Sequence, residues 1–129
     1  MRSLAPKPLK LRQLEPTHGE AMASVLAYLV HCPAVAWAHK MNTGAHFQSG
    51  IDERGRKVRR FIRYGFPGLS DIIGQLRDGR FMAIEIKVKR DKPSPEQAAF
   101  LAQVNAAGGL AFVAHGIDDA QATLETQHG

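Results

Sequence analysis

The sequence predicts a single α/β domain in which helices pack on a mixed β-sheet. Two segments carry complete helix-start signals, at Thr17 and at Ser94, and each is followed by apolar residues at helical spacing. The stretch between them alternates apolar and polar residues and is interrupted by glycines, which is typical of strands joined by turns. A chain of 129 residues has the length of one domain. The expected order of elements is α-β-β-β-β-β-α-β-α.

The first helix is expected between Thr17, a favourable N-cap, and Pro33, which cannot continue a helix. Glu20 completes a capping box with Thr17 and falls opposite the apolar side of the helix, so it is expected to face away from the main core. A short strand should follow over residues 34–42. The apolar side of the helix is predicted to be one buried stripe, formed by Met22, Val25, Leu26, Leu29 and Val30.

Residues 43–68 are rich in glycine and basic residues and are expected to form a hairpin with its tip at residues 52–55. Alternation distributes the basic side chains over both faces, so the hairpin should project from the core as a basic ribbon. Such side chains bind phosphates with an affinity that depends on salt and not on base sequence. The alternative is a hairpin that only increases solubility. The cations of the ribbon are Arg54, Arg56, Lys57, Arg59, Arg60 and Arg63.

Residues 67–90, PGLSDIIGQLRDGRFMAIEIKVKR, are expected to form a second hairpin with charges inside apolar strands. Asp71, Glu85 and Lys87 fall on one face by alternation. Burying a charge is costly unless the charge is paired or bound to a metal, so these three residues need a physical reason. The opposite face should build the core, with Ile72, Met82, Ile84, Ile86 and Val88.

The length of the turn in this hairpin decides whether the two carboxylates meet. A two-residue turn at Asp78 and Gly79 would place Asp71 opposite Ile86. A three-residue loop over residues 77–79 pairs residue 76 with residue 80 and therefore places Asp71 opposite Glu85. Such a loop needs a glycine in the left-handed conformation at its last position, and Gly79 occupies that position. We therefore predict the three-residue loop.

Two directly opposed carboxylates repel each other by up to about 1 kcal/mol, and a divalent cation between them would remove that repulsion. Carboxylate oxygens are hard ligands that suit Mg²⁺ or Mn²⁺, and these ions keep several waters when one or two carboxylates hold them. Lys87 reaches the same place, where it could orient or deprotonate a water or stabilise a pentavalent phosphate. The alternative is an exposed sheet face that carries an ordinary Lys–Glu pair.

The second helix is expected from Pro95 to about Gly108, with Ser94 as its N-cap and Gln97 as the third residue of a capping box. Gln97 also lies on the same side of the helix as Phe100, Leu101 and Val104, which aims it at the sheet. A residue that serves only as a cap need not lie there, so we expect Gln97 to position a water, the lysine or a phosphate. A strand over residues 110–115 and a helix over residues 118–127 complete the chain.

Composition restricts the function without identifying it. The net charge of +5 and the pI near 9.7 favour an anionic partner. A single cysteine excludes an internal disulfide and suits a reducing cytoplasm. No apolar run is long enough for a membrane span, and prolines interrupt residues 1–16, which we expect to be a flexible basic arm before the domain at residues 17–129. The six histidines fit no zinc spacing, and no phosphate-binding loop indicates a nucleotide cofactor.

Residues 67–109 resemble the VRR-NUC family of the PD-(D/E)XK nuclease superfamily. Asp71 within GLSD matches the superfamily aspartate, residues 85–87 match the E-x-K motif, and Gln97 matches the glutamine of the following helix. The resemblance covers residues 18 to 118, because VAWAHKMNTGA and the first helix also fit. The further matching positions are Lys40, Asn42 and Glu20.

This resemblance implies a restriction-endonuclease-like core and metal-dependent hydrolysis of phosphodiester bonds in DNA. It implies that Asp71, Glu85 and the Ile86 carbonyl hold Mg²⁺ or Mn²⁺, that Lys87 activates or orients the attacking water, and that Gln97 supports it. It also implies that Glu20 adds a ligand through water, although a helix cap alone would explain this glutamate. Lys40, Asn42 and Lys89 join the basic ribbon among the expected DNA contacts.

Short stand-alone members of the family are similar to this chain in length. They resemble phage or prophage proteins that dimerise and act on branched DNA such as Holliday junctions. The resemblance therefore implies a homodimer that acts in the cytoplasm of a bacterial host. Two other functions stay open. One is a DNA-binding or recruitment module without catalysis, and the other is an enzyme whose target is RNA or a free end.

Overall fold

A four-stranded mixed sheet lies at the centre of the molecule, between helices on both faces. The computed structural model of the chain describes residues 15–127. The basic arm expected over residues 1–16 lies outside the described residues except for its last two. The elements are α1 (His18–His31), β1 (Val35–Lys40), β2 (Gly44–Ile51), β3 (Lys57–Tyr64), β4 (Ile72–Leu76), β5 (Phe81–Ile86), α2 (Pro95–Ala106), β6 (Leu110–Ala114) and α3 (Ile117–Glu125). This order of elements is the predicted one.

The central sheet has the strand order β1-β4-β5-β6. Neighbours are antiparallel from β1 to β5, whereas β5 and β6 are parallel and joined by α2. A parallel pair needs a crossover connection, which explains why a helix follows β5. Helices α1 and α3 pack on one face of the sheet, and α2 packs on the other. The mixed sheet between helices confirms the predicted fold class and is consistent with a restriction-endonuclease-like fold.

The larger core lies between the sheet and the helices α1 and α3. The capping box of α1 is present, because the Thr17 side chain accepts from the Glu20 amide and the Glu20 side chain accepts from the Thr17 amide. Met22 and Leu29 are buried as predicted, but Val30 is 79% exposed, so its place in the stripe was wrong. The buried side of α1 is displaced around the helix toward Ala21, which leaves Val30 outside it. No helix within residues 15–127 combines the length and apolarity needed to cross a membrane.

The predicted three-residue loop joins β4 and β5. The Leu76 amide donates to the Arg80 carbonyl at 2.8 Å, and the Gly79 amide donates to the Leu76 carbonyl at 2.9 Å. Gly79 has φ 97°, the left-handed conformation that this loop needs. The ladder pairs Ile72 with Ile84, and the same register continued by one residue places Asp71 opposite Glu85.

Strands β2 and β3 form a separate two-stranded sheet, which we call the ribbon. It packs against no other helix or strand of residues 15–127. Phe47 pairs with Phe61 across the ribbon, and Gln48 pairs with Arg60, which gives the two faces that alternation predicted. The predicted projection of this basic hairpin from the core is confirmed.

Gly68 brings the loop before β4 into contact with the first turn of α2. It has φ 89°, and a Cβ at this position would lie 2.3 Å from the Glu96 carbonyl oxygen. Only glycine allows this approach, because any side chain would overlap the helix backbone. The contact places the segment that ends at Asp71 beside the segment that carries Gln97.

Gly68→Ala should therefore destabilise the protein more than Gly79→Ala. Both positions have a positive φ, which costs alanine about 1–2 kcal/mol, but a Cβ at residue 79 meets nothing within 4 Å. The overlap with α2 should add at least about 1 kcal/mol at residue 68. Urea unfolding of the two variants measures the difference, and equal losses would contradict the close contact.

Candidate active site

Two carboxylates lie buried on the face of the sheet that α2 covers. Glu85 is 1% exposed and Asp71 is 6% exposed. Glu85 is the penultimate residue of β5, and Asp71 immediately precedes β4, so the prediction that Asp71 lies inside a strand was off by one residue. Lys87 likewise follows β5 directly. These positions place the charged groups at the end of the hairpin that is remote from its turn.

Asp71 completes the hydrogen bonding of the hairpin where its ladder ends. Its Oδ2 accepts from the Ile86 amide at 2.9 Å and lies 3.3 Å from Nε2 of His18. Its Oδ1 accepts from the Thr43 hydroxyl at 3.4 Å. These contacts fix the carboxylate between β5, the start of α1 and the loop after β1. Asp71 therefore has a structural role in addition to any chemistry.

Glu85 has one satisfied oxygen and one unsatisfied oxygen. Its Oε1 accepts from the Gln97 side-chain amide at 3.1 Å and lies 3.4 Å from Nζ of Lys87. Its Oε2 is buried and has no hydrogen-bond partner within the described residues. A buried polar atom without a partner is unfavourable, so this oxygen is available to a ligand.

The pKa of Glu85 is raised to about 7. Burial is the largest cause, because it disfavours the charged form, and the adjacent Asp71 carboxylate raises the pKa further. The Lys87 ammonium acts in the opposite direction. The site thus lacks sufficient positive charge to keep both carboxylates ionised without cost.

Gln97 serves two purposes at once. Its Oε1 accepts from the Ser94 amide at 2.8 Å and closes the capping box of α2, while its Nε2 donates to Glu85. Because the cap fixes Oε1, the amide is held with its nitrogen toward the carboxylate. The predicted inward direction of Gln97 is confirmed. A helix cap alone would not require the contact between Gln97 and Glu85.

Two open clefts lie at the site, one beside Asp71 and one beside Gln97, and predicted DNA contacts line both. The cleft of about 310 Å³ next to Asp71 is lined by Lys40 and Asn42, and also by His18. The cleft of about 410 Å³ next to Gln97 is lined by Arg63 at the end of the ribbon. Residues of positive charge and hydrogen-bonding capacity therefore lie beside Asp71 and beside Gln97, which itself contacts Glu85.

A family model described as the VRR-NUC domain matches residues 13–118. The chain belongs to the VRR-NUC domain family. No curated protein matches the chain. Membership makes it a nuclease domain of the PD-(D/E)XK type, a class that is generally dependent on a divalent metal and acts on DNA. Of the residues that matched this family, the fold brings together Asp71, Glu85, Lys87 and Gln97.

Some site residues expected in a VRR-NUC domain lie away from the carboxylates. Glu20 is exposed, and its hydrogen bonds within the described residues belong to the helix cap. Lys89 is exposed beyond the end of β5 and has φ 57°, a left-handed conformation that is unusual for a lysine. The remaining predicted cations lie along the exposed ribbon, at Arg54, Arg56, Lys57, Arg59 and Arg60.

Sequence reasoning missed His18 and Thr43, which both contact Asp71. His18 was only one of six histidines without a metal-binding spacing, and its position next to the N-cap Thr17 suggested a helix end. Thr43 lies within the segment that matched the VRR-NUC pattern, directly after Asn42. That match was the one signal that pointed to this threonine.

The residues present in this VRR-NUC domain fit a hard divalent cation. Two carboxylates, the unsatisfied Glu85 Oε2 and the raised Glu85 pKa are what a cation between the carboxylates would compensate. The Ile86 amide faces Asp71, and in an extended strand the carbonyl of the same residue faces the same neighbour. No group of three or more His, Cys, Asp and Glu side chains in residues 15–127 is arranged to hold a metal. The donor set therefore suits an ion that retains waters, such as Mg²⁺.

Glu85→Gln should stabilise the protein above neutral pH when divalent cations are chelated. The folded pKa of about 7 lies above the ordinary 4.5, so the wild-type protein is most stable below about pH 4.5 with respect to this group and loses that stability as pH rises toward 7. Glutamine cannot ionise, so the variant should not lose this stability. The free energy of unfolding of the variant minus that of wild type should rise by on the order of 1–3 kcal/mol when the pH is raised from 5 to 8.

Urea unfolding in EDTA at pH 5 and at pH 8 measures this change. Glu53→Gln is the matched control, because Glu53 lies at the exposed tip between the ribbon strands. The control should keep the wild-type pH dependence. If Glu85→Gln also keeps it, the ionisation of Glu85 does not oppose folding.

Proposed function

We propose that this VRR-NUC domain is a DNA endonuclease that requires Mg²⁺ or Mn²⁺ and hydrolyses phosphodiester bonds in branched DNA, such as Holliday junctions. The observation that carries the proposal is the buried pair of Asp71 and Glu85, with an unsatisfied Glu85 oxygen and with Lys87 and Gln97 in contact with Glu85. A pair of this kind destabilises an isolated domain and becomes favourable when a cation is bound.

Asp71, Glu85 and the Ile86 carbonyl would hold the cation. A bound Mg²⁺ or Mn²⁺ would lower the pKa of water and neutralise charge that develops on the phosphate. Asp71 is suited to this because the Ile86 amide fixes its carboxylate. Glu85 is suited because its Oε1 is oriented by two donors while its Oε2 remains free to bind.

Lys87 would orient the attacking water as an ammonium, or take up its proton when present as the neutral amine. Its ammonium is 3.4 Å from Glu85, and its side chain is only 18% exposed, so it is confined to the site. Gln97 would keep Glu85 Oε1 in place and could donate to the same water or to a phosphate oxygen. Glu20 would contribute through water, since its side chain lies in the first turn of α1, the helix whose first residue, His18, contacts Asp71. Hydrolysis of this type leaves a 5′-phosphate.

DNA would approach from the side of the two clefts and the ribbon. Lys40 and Asn42 would bind phosphates beside Asp71, and Arg63 would bind them beside Gln97. Lys89 and the other ribbon cations would extend this contact along the duplex. The absence of acidic residues from both ribbon strands supports an anionic partner for the strands, whereas at the tip between them Asp52 pairs with Arg56.

The preference for branched DNA, the homodimeric state and the origin in a phage or its bacterial host rest on the resemblance to short VRR-NUC proteins. A homodimer would present two sites to the two strands of a junction. The cytoplasm is the expected compartment, which agrees with a single buried cysteine.

Asp71→Asn, Glu85→Gln and Lys87→Ala should each lower the rate of cleavage by at least about 100-fold, because each removes a charge needed at the reacting phosphate. Cleavage of junction, flap, nicked and linear DNA with Mg²⁺ or Mn²⁺ measures the rates and the preferred structure. Arg77→Ala is the control, since it removes an exposed charge at the turn of the hairpin, at the far end from the site.

Full cleavage by all three variants would contradict the assignment of the active site. Binding of branched DNA by the wild-type protein without cleavage under either cation would favour the DNA-binding module without catalysis. A preference for RNA over every DNA in the panel would contradict the substrate class.

Divalent cations should stabilise the wild-type protein and not the Asp71→Asn variant. A ligand at ten times its dissociation constant stabilises the folded state by about 1.4 kcal/mol. Thermal unfolding at increasing Mn²⁺ concentration measures the effect without any DNA. Asp119→Asn is the control, because Asp119 pairs with His115 at the start of α3 and should not alter the response. Equal stabilisation of wild type and Asp71→Asn would exclude a cation between the two carboxylates.

A further inference from the structure

One face of the ribbon is both aromatic and basic, and we call it the aromatic face. Phe47 and Phe61 pair across the strands with ring centroids 5.5 Å apart in an edge-to-face arrangement. Their side chains remain 59% and 55% exposed. The same face also carries Ile51, Lys57, Arg59 and Arg63.

The two rings are far more exposed than packing alone would produce. They take no part in the packing of the central sheet and its helices, since the ribbon packs against no other element of residues 15–127. An isolated two-stranded ribbon is only marginally stable, and exposed aromatic rings on it are unfavourable in water. A ligand that covers Phe47 and Phe61 would remove this cost.

The charge around the rings selects the kind of ligand. The guanidinium carbon of Arg59 lies 4.4 Å from the centre of the Phe47 ring, and that of Arg63 lies 5.5 Å from the Phe61 ring. No acidic residue occurs in either strand of the ribbon, so the face presents only positive charge beside its rings. Two copies of such a face would repel each other. A ligand that is flat, aromatic and anionic along its length is complementary to it.

We propose that unpaired DNA bases stack on Phe47 and Phe61, while Lys57, Arg59 and Arg63 bind the phosphates on either side of them. Rings that stack on bases and cations that bind the backbone are the two elements of single-strand recognition. Paired bases inside a duplex cannot offer their faces to a ribbon. The aromatic face therefore distinguishes unpaired from paired DNA.

The position of the ribbon connects this site to the chemistry of the domain. Arg63 belongs to the aromatic face and also lines the cleft next to Gln97. Tyr64, the next residue, lines both the cleft beside Gln97 and the cleft beside Asp71. Bases held at the aromatic face would place the adjoining strand in reach of Asp71 and Glu85. The inference rests on the proposed DNA substrate. It assigns the aromatic face to the unpaired bases of a DNA branch.

Binding of a labelled oligothymidine and of an abasic strand of equal length tests the proposal, because both carry the same phosphates and only one carries bases. Fluorescence anisotropy in EDTA measures both affinities without cleavage. The wild-type protein should bind oligothymidine more tightly by about fivefold or more. Changing both Phe47 and Phe61 to leucine should bring this ratio close to one. Leucine keeps the apolar contact between the strands, so the ribbon should still form.

Two control variants separate stacking from other effects. Phe81→Leu alters a 39% exposed ring at the start of β5, outside the ribbon, and should keep the wild-type ratio. Arg60→Ala removes a cation from the opposite face of the ribbon and should weaken the binding of oligothymidine and of the abasic DNA by the same factor. A ratio that is unchanged in the double leucine variant would overturn the proposal. An equal loss of affinity for both strands in that variant would overturn it as well, since it would indicate a general defect of the ribbon.

Phe47→Trp in a Trp37→Phe background gives a direct signal from the aromatic face, because Trp37 is the one tryptophan of the native sequence. The emission of the new tryptophan should be quenched by oligothymidine and not by the abasic strand. Sedimentation of the wild type and the double leucine variant tests the competing occupant, a second copy of the chain. Loss of a dimer together with an unchanged binding ratio would assign the face to contact between copies and overturn the proposal.

The cleavage assay distinguishes failure of this inference from failure of the proposed function. If the wild-type protein cleaves DNA and shows no preference for the strand with bases, the base-stacking site is wrong and the endonuclease stands. If the preference is present and no DNA is cleaved with either cation, the base-stacking site stands and the endonuclease is wrong.

Discussion

The opposition of Asp71 and Glu85 is the constraint on which the rest of the structure depends. Two carboxylates buried beside each other on a sheet are unfavourable, and the raised pKa of Glu85 is the direct sign of that cost. The register of the β4–β5 hairpin enforces the opposition, and the register follows from the loop that Gly79 closes. Every other group of the site acts on this pair. Lys87 and Gln97 contact Glu85, while the Ile86 amide, His18 and Thr43 contact Asp71.

Stability and function are opposed at this site in a way that explains its surroundings. The hydrophobic face of the hairpin is fully buried under α1 and α3. The free energy of this packing offsets the cost of burying the two carboxylates. The N-terminus of α2 is held against the preceding loop by the contact at Gly68, so Gln97 and Asp71 cannot separate without loss of that contact. Rigid support of this kind is what a site needs when its donors must keep a fixed geometry.

The ribbon follows a different principle from the core. Its residues contribute little to folding, because they pack on no other element within residues 15–127. Their side chains are therefore available to bind a partner. The two faces of the ribbon carry different types of side chain. One face combines exposed phenylalanines with cations, and the other carries Arg60 together with a contact between His46 and Tyr64. Six of the 17 lysines and arginines lie in the ribbon and its tip, where a polyanion can reach them.

The sequence by itself determined the order of elements, the loop at Gly79 and hence the meeting of Asp71 with Glu85. Alternation, capping boxes and turn chemistry are local rules, and neighbouring residues were enough to apply them. Membership of the VRR-NUC family was likewise visible in the motif around residues 71–97.

Only the tertiary structure decided which groups from distant segments reach the pair. His18 is 53 residues away from Asp71 and Thr43 is 28 residues away, and no local pattern reports such contacts. The exposure of Val30 was also a tertiary outcome, since helical periodicity gives the side of a helix but not how much of that side its neighbours cover. The same reason applies to the ribbon. Alternation sorted Phe47 and Phe61 onto one face, and only the fold left that face without a covering element.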